Sequence, residues 1–210
     1  EPGIDIQAKV TILGEGPRGT LTRQLINRYQ LDKDSQPMAY EICVKEIIEM
    51  PPGTVQKGSV TLTFGYPLDL NTFGGGFIYS LAGDRYAVGM MVGLDAKDPA
   101  MDAHYLLQKM KDHPAIRKIL GAGKVVKYGA KAVTVGGWGS VPKLCAPGAM
   151  IVGDSASLLN PGRIKGIHLS MKSGMLAAEA AFEALKAGVS TEAVLAVYQR
   201  QGVNQDVIDK

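Results

Sequence analysis

The chain has 210 residues, of which 46% are hydrophobic and 20% are charged, and its formal net charge is +3. This length allows one large domain or two small ones, and the composition is that of an ordinary globular protein. The net charge is too small to indicate a nucleic-acid partner, and no stretch is long and apolar enough to predict a membrane span. The 26 glycines lie in loops rather than in a repeat, which is typical of a backbone that turns sharply or approaches a ligand closely.

The thiols and imidazoles predict no metal site. Cys43 and Cys145 are far apart, and their spacing matches no zinc motif. His104, His113 and His168 share no metal-ligand spacing either. We therefore expect two reduced thiols and no bound metal. No residue has the sequence context of a catalytic nucleophile or general base.

The first predicted element is a strand at Ala8–Leu13. Its residues alternate between apolar and polar and then become continuously apolar. A glycine-rich turn, Gly14–Gly19, follows it, and Thr20 can cap the next helix. A glycine turn between a strand and a helix exposes backbone N–H groups that suit a phosphate or pyrophosphate. Gly14 and Gly16 are therefore candidate cofactor contacts, although a simple tight turn fits the same pattern.

The middle of the chain predicts an antiparallel meander. Its expected strands are Ala39–Met50, Ser59–Tyr66, Phe77–Leu81 and Arg85–Val92, with Gly74–Gly76 leading into the third. This pattern differs from the α/β pattern on either side of it. We therefore expect a substrate domain at residues 37–130, inserted into a domain formed by residues 1–36 and 131–210.

The stretch after this meander predicts a strand, a turn and a long helix. Ala149–Val152 is a short apolar run, typical of a buried strand. Gly153 permits a sharp turn and places Asp154 at the carboxyl end of the strand, where ligands bind in open α/β sheets. The carboxylate can accept hydrogen bonds from the hydroxyls of a sugar alcohol. A helix begins at Gly166 and runs to about Leu185. Its N-terminus, the positive end of the helix dipole, points towards the same crevice.

The last part of the chain predicts a further helix. Ser190 or Thr191 can cap it, and it would run to about Gln201. Residues 131–210 would then carry the Gly-Asp turn together with two C-terminal helices.

The Gly153-Asp154 turn and the helix after it resemble the second FAD-binding segment of glutathione-reductase-like and hydroxylase-like flavoproteins. The run Val10–Gly16 is similar to the Gly-Asp-Gly motif of the hydroxylase-like class, with Glu15 in place of Asp. The sequences Asn160-Pro161, Lys165–His168 and Met171–Glu179 are more specific. They resemble the electron-transfer-flavoprotein:ubiquinone oxidoreductase family and its relatives, the FixC proteins and geranylgeranyl reductases.

A second resemblance lies in the meander. Gly65–Asp69 and Thr72–Tyr79 are close to the quinone domain of the same oxidoreductase family. The resemblance implies that Gly74 and Gly75 contact the quinone through their backbone, which no side chain obstructs. The alternative is a flexible, glycine-rich entry to a strand. Phe73, Phe77 and Tyr79 could line an apolar pocket or belong to the core.

The resemblance implies a fold and a cofactor. The fold would be α+β or α/β, part of a Rossmann-like FAD-binding domain with an inserted antiparallel β-sheet substrate (quinone) domain. Asp154 and Gly153 would bind the ribityl chain of FAD, and Gly166 and Ile167 would face the flavin ring. Gly14 and Gly16 would lie near the pyrophosphate. Some relatives have a polar residue at the position of Ile167. Because isoleucine has no polar side-chain atom, this chain lacks that possible hydrogen bond to the ribityl chain.

The resemblance also implies an activity and partners. Electrons would pass from electron-transfer flavoprotein through FAD to a membrane quinone, at the cytoplasmic face of the membrane in a prokaryote. The family's N-terminal ADP-binding motif and its 4Fe-4S cysteines are not in this sequence, so we expect an internal fragment of a longer parent. Two alternatives stay open: a geranylgeranyl-reductase-like enzyme acting on prenyl chains, or a binding fragment without turnover.

Overall fold

The computed structural model describes residues 3–188, and the predicted helix from Thr191 to Gln201 lies outside that range. Eight strands and four α-helices form within the described part of the chain. They are β1 (Thr11–Leu13), α1 (Thr20–Tyr29), β2 (Tyr40–Glu49), β3 (Val60–Thr63), β4 (Gly74–Leu81), β5 (Arg85–Gly93), α2 (Ala103–Asp112), α3 (Pro114–Leu120), β6 (Lys124–Thr134), β7 (Cys145–Ala146), β8 (Ala149–Ile151) and α4 (Ile167–Ala187). No described helix is long and apolar enough to cross a bilayer.

The chain divides into two compact units, one built from residues 1–38 and 134–210 and the other from residues 39–133. The first unit contains a three-stranded sheet in the order β1-β8-β7, and the second contains a five-stranded sheet in the order β3-β4-β5-β2-β6. The predicted fold class, α/β with an antiparallel sheet, is confirmed.

The first unit is organised by a parallel strand pair. β1 and β8 run side by side with Leu13 opposite Ile151, and β7 pairs antiparallel with β8. Met150 and Ile151 are fully buried, in one core with Leu176 and Ala177 of α4. The predicted first strand was too long, because β8 has only three residues and gives Ala8–Val10 no partner.

The second unit is an antiparallel sheet with helices on one face. β5 pairs along its whole length with β2 and, from Arg85 to Val92, with β4 on its other side. The fully buried Val88 and Met90 belong to one core with Leu107 and Met110 of α2. The hairpin between β4 and β5 turns at Gly83-Asp84, where both residues have positive φ. Glycine adopts this conformation freely, and aspartate adopts it more readily than most other residues.

The glycine run before Phe77 differs from its prediction, because Gly74–Gly76 belong to β4 rather than to a loop. A Cβ atom added to Gly76 would overlap the Sδ atom of Met110 and lie 2.5 Å from the Oγ1 of Thr63. Glycine at this position therefore lets α2 pack directly on the strand. β3 is also shorter than predicted, ending at Thr63 rather than at Tyr66.

A buried charge fastens α2 to the sheet. Glu46 on β2 is 4% exposed, and its carboxylate accepts hydrogen bonds from the Nζ of Lys111 and, at 2.9 Å, from the Nε2 of Gln108. A buried carboxylate is tolerated only when it is paired and hydrogen-bonded. The Lys111–Glu46 pair therefore holds the helix in register with the strand.

Replacing Lys111 by Met should destabilise the protein by about 3 kcal/mol, the lower end of the cost of breaking a buried ion pair. The lower end applies because the Lys111 side chain keeps 19% of its exposure. Urea unfolding followed by circular dichroism measures the change. Lys109→Met, on the exposed side of the same helix, is the matched control and should cost less than about 0.5 kcal/mol. Equal losses for the two variants would contradict this role of the ion pair.

Candidate functional site

The parallel strands of the first unit bring together the glycine turns that follow them. The N–H of Val152 donates to the carbonyl of Leu13 at 3.0 Å, just beyond the paired strands. A Cβ atom added to Gly14 would lie 3.4 Å from Cγ2 of Val152. Gly14 and Gly153 are therefore close neighbours at the carboxyl edge of the sheet, where open α/β folds bind ligands.

A side chain joins these two turns. The hydroxyl of Ser155 donates to the carbonyl of Gly16 at 3.0 Å. Gly16 has a φ of 83°, a backbone conformation that favours glycine. The structure thus brings Gly14, Gly16 and Gly153 into one cluster, as a shared cofactor site requires. The assignment of these residues to a cofactor stays a prediction.

Helix α4 is fixed to the same turn by a buried hydroxyl. The N–H of Gly153 donates to Oγ of Ser173 at 3.0 Å, and that hydroxyl donates to the carbonyl of Ser170 at 2.8 Å. Ser173 is 1% exposed. The neighbouring Asp154 is half-buried, and its carboxylate has no hydrogen bond or ion pair within residues 3–188. That carboxylate is therefore available to hydroxyl groups of a ligand.

The first turn of α4 is open. Gly166 precedes the helix and offers no side-chain cap. Ile167, the first helical residue, is 80% exposed. The first N–H groups of a helix have no partner within it and carry its positive partial charge. This end of α4 can therefore bind an anionic or carbonyl oxygen, through the backbone of the two residues predicted to face a flavin ring.

The first turn of α1, in contrast, is closed. The carboxylate of Glu15 accepts hydrogen bonds from the N–H of Thr22 at 2.7 Å, its hydroxyl at 2.8 Å, and the N–H of Leu21 at 3.3 Å. The bond from the N–H of Thr22 is the main cause that lowers the pKa of Glu15. The prediction that Thr20 caps α1 is wrong, since Gly19 precedes the helix and Glu15 satisfies its N–H groups. A phosphate near Gly14 and Gly16 could not also use this helix end.

A cavity of about 260 Å³ lies in the first unit, beside the first turn of α4. Its volume is just below the range of about 300–1,000 Å³ for small-molecule sites, so it suits a ring system rather than a whole dinucleotide. The cavity is lined by Gly137, Trp138, Val141, Ser157, Leu158, Leu159, Asn160, Pro161, Gly162 and Leu169.

The loop along this cavity is strained. Ser157 and Ile164 have φ values of 60° and 55°, which non-glycine residues rarely adopt. The Oγ atom of Ser157 is buried and has no hydrogen-bond partner among the described residues. Strained backbone of this kind concentrates at ligand sites. Sequence reasoning missed Ser157, and the only signal for this loop was the pair Asn160-Pro161.

The other predicted site residues lie in the second unit, on β4. Gly74 and Gly75 are both half-buried. A Cβ atom added to Gly74 would overlap the carbonyl oxygen of Met91, and one added to Gly75 would overlap that of Thr63. Close backbone packing thus already requires glycine at both positions. Contact with a quinone therefore stays a prediction here.

The face of this sheet opposite the helices is apolar and partly open. A Cβ atom added to Gly89 would overlap the ring of Phe77, so that ring lies over the bare glycine backbone. Phe77 also stacks on Tyr79 with ring centroids 5.7 Å apart. Leu62 on β3, opposite Phe77, is 55% exposed. These three side chains form a platform on which a flat apolar ring can lie.

Within the described residues, no group of three or more histidine, cysteine, aspartate or glutamate side chains could hold a metal ion.

Sequence comparison identifies relatives of this chain. Residues 40–133 match the family model described as ETF-QO, ubiquinone-binding. The chain is 42% identical over 194 residues to the mitochondrial electron transfer flavoprotein-ubiquinone oxidoreductase of Oryza sativa. That alignment covers 91% of this chain and 34% of the rice protein. It is 41% identical over 210 residues to the probable electron transfer flavoprotein-ubiquinone oxidoreductase of Acinetobacter baylyi. That alignment covers 100% of this chain and 37% of the bacterial protein. The chain thus spans about a third of the length of these relatives.

Structure comparison identifies the fold. A geranylgeranyl bacteriochlorophyll reductase-like protein from Thermoplasma acidophilum matches with a TM-score of 0.70 and 19% identity, over 93% of this chain and 46% of that one. A triple mutant of the flavin-dependent brominase Bmp2 matches with a TM-score of 0.64 and 16% identity, over 92% of this chain and 48% of the brominase chain. At such low identity these similarities show a common fold and nothing about activity.

Replacing Ser173 by Ala should destabilise the protein by about 1–3 kcal/mol, because the buried N–H of Gly153 loses its acceptor. Thermal unfolding followed by circular dichroism measures this loss. Ser170→Ala is the matched control: its hydroxyl has no hydrogen bond among the described residues, and its carbonyl remains in place. It should cost less than about 0.5 kcal/mol. A neutral Ser173→Ala variant would show that this bond does not hold the turn.

Proposed function

Since the chain belongs to the electron transfer flavoprotein-ubiquinone oxidoreductase family, we propose that it takes part in FAD-dependent transfer of electrons from reduced electron-transfer flavoprotein to a membrane quinone. The observation that carries the proposal is the match of residues 40–133 to the family's ubiquinone-binding model. Identity of 41–42% to two relatives, over 34% and 37% of their length, supports the same proposal. The family's 4Fe-4S cluster would belong to a longer parent, since this sequence has only two cysteines.

The residues of the first unit fit FAD. The carboxylate of Asp154, which has no partner within residues 3–188, suits the ribityl hydroxyls, and the open first turn of α4 suits the carbonyl edge of a flavin ring. The cavity beside that turn, with the unpaired hydroxyl of Ser157, suits part of the ring. When bound, FAD supplies the redox chemistry, and these residues bind and orient it.

The second unit fits a quinone. Phe77 and Tyr79 form a stacked pair on the open face of the sheet. Gly74 and Gly75 lie on β4, the same strand, and their backbone is partly exposed. A quinone has a flat ring with two carbonyl acceptors, so aromatic contact combined with backbone N–H donors matches its chemistry.

The second unit also carries three exposed apolar side chains on the segment between β3 and β4. Phe64, Leu70 and Phe73 lie between β3 and the start of β4 and are 74%, 98% and 58% exposed. Apolar side chains grouped on a surface mark contact sites for proteins or membranes. We propose that this cluster, Phe64, Leu70 and Phe73, contacts the membrane peripherally, on the cytoplasmic face in a prokaryote.

One alternative enzyme class has weaker support. A geranylgeranyl-reductase-like activity rests on a fold similarity at 19% identity. A binding fragment without turnover would bind both FAD and quinone but would not reduce the quinone. Reducing the bound flavin and then titrating with quinone distinguishes such a fragment from the enzyme.

We expect FAD to bind this chain weakly but measurably, and Asp154→Ala to weaken binding about tenfold or more. The reason is the loss of hydrogen bonds to a charged acceptor, worth about 1.5–3 kcal/mol. Quenching of flavin fluorescence measures the affinity. Asp34→Ala, an exposed carboxylate of the same unit that pairs with Lys143 at 3.4 Å, is the control. Equal affinities for the two variants would rule out the assigned role of Asp154.

The double substitution Phe64→Ser and Leu70→Ser should reduce binding to anionic lipid vesicles about tenfold or more. Each buried apolar side chain of this size contributes about 1.5–3 kcal/mol. Sedimentation with vesicles measures the bound fraction. Phe182→Ser on α4, which is 62% exposed, removes an apolar side chain from the other unit and should leave binding unchanged. If all variants bind equally, the cluster does not contact lipid.

A further inference from the structure

Glu41 on β2 is a buried carboxyl group without a partner. It is 3% exposed, and no hydrogen bond or ion pair to its side chain exists among residues 3–188. Burial raises the pKa of Glu41, and the negative charge of Asp95 raises it further. Burying an unpaired carboxylate is costly, so the protonated form is favoured here.

The strand register places Glu41 beside the glycines predicted to bind quinone. Glu41 pairs with Gly93 of β5, and the N–H of Gly93 donates to the carbonyl of Phe73 at 2.8 Å. Glu41, Gly93 and Phe73, the residue just before β4, form one row that spans about 10 Å at the usual strand spacing. Gly74 and Gly75 come directly after Phe73.

Glu41 also lies on the same face of the sheet as the residues predicted to contact the quinone. Paired residues in a sheet share a face, and residues two apart on one strand share it as well. Glu41, Gly93, Phe73 and Gly75 therefore share the face opposite the helices, which also carries Phe77. A Cβ atom added to Gly93 would lie 2.7 Å from Oδ1 of Asp95 and 3.6 Å from Cβ of Phe73. The missing side chain of Gly93 thus leaves room for the Asp95 carboxylate next to Glu41.

The other charged groups near Glu41 do not neutralise it. On β2 these are Cys43, whose pKa is raised chiefly by burial, and the exposed Lys45. The neighbouring strand β6 carries Lys124, Lys127 and Lys131. No lysine forms an ion pair with Glu41 among the described residues. Asp95 is exposed, so its carboxylate is in contact with water.

We propose that Glu41 donates a proton to one carbonyl oxygen of a quinone bound at Gly74 and Gly75, and that Asp95 returns a proton to it from water. This inference rests on the proposed function. Reducing a quinone to a quinol takes two electrons, supplied by reduced flavin, and two protons. One proton leaves the Glu41 carboxyl group as the new O–H bond forms, and the resulting carboxylate is reprotonated through Asp95. The second proton comes from solvent.

Glu41→Gln keeps the size and polarity of the side chain and removes its transferable proton. Glu49→Gln, at an exposed position of the same strand, is the matched control. The full chain is loaded with FAD, reduced, and mixed with ubiquinone-1 in a stopped-flow instrument across a pH series. The affinity for ubiquinone-1 is measured separately from the quenching of intrinsic fluorescence. Infrared spectroscopy at pH 7 tests for a protonated carboxyl band that the Glu41→Gln variant lacks.

We expect quinone reduction by the unmodified chain and by Glu49→Gln to slow as the pH rises through the raised pKa of Glu41. Glu41→Gln should react at least about tenfold more slowly, without that pH dependence, while its affinity for ubiquinone-1 stays within about twofold. Unchanged rate and pH profile in Glu41→Gln, with normal quinone binding, would overturn the role of Glu41 alone. Absence of ubiquinone-1 binding by the unmodified chain would instead overturn the proposed quinone site.

Discussion

The hydrogen bond from the N–H of Gly153 to the hydroxyl of Ser173 is the contact on which the site of the first unit depends. It joins the end of β8 to the second turn of α4. Through it, the carboxylate of Asp154 and the open first turn of the helix come to the same place. Because β1 runs parallel to β8, the turn at Gly14–Gly16 arrives there too. The buried hydroxyl thus fixes the end of β8 against α4, and the strand pairing adds a turn from the start of the sequence.

The two helix ends in this unit show how one side chain changes what a common motif can bind. Both helices follow a strand and a glycine-containing loop, and each could in principle attract an anion. Glu15 fills the first turn of α1 with its own carboxylate, whereas Gly166 leaves the first turn of α4 open. The open end is therefore the one available to a ligand, whereas the glycines after β1 offer only their backbone.

Much of this architecture follows from the sequence. The apolar run at Ala149–Val152, the small residues of α4 and the alternation in β2 each predict their element, because burial and helix or strand period act locally. Gly74–Gly76 were not predictable as strand residues. Their need for glycine comes from Met91, Thr63 and Met110, which are distant in the chain. The cap by Glu15 and the strained Ser157 depend in the same way on tertiary contacts.

The most direct test of the account is amide hydrogen exchange of the chain with FAD and with ubiquinone-1, each added separately. FAD should slow exchange at Gly14–Gly16, at Gly153-Asp154 and in the first turn of α4. Ubiquinone-1 should slow exchange in β4 near Gly74 and Gly75 and leave the FAD-protected segments unchanged. Protection by neither ligand, or the same diffuse protection by both, would contradict the claim that the two units hold separate flavin and quinone sites.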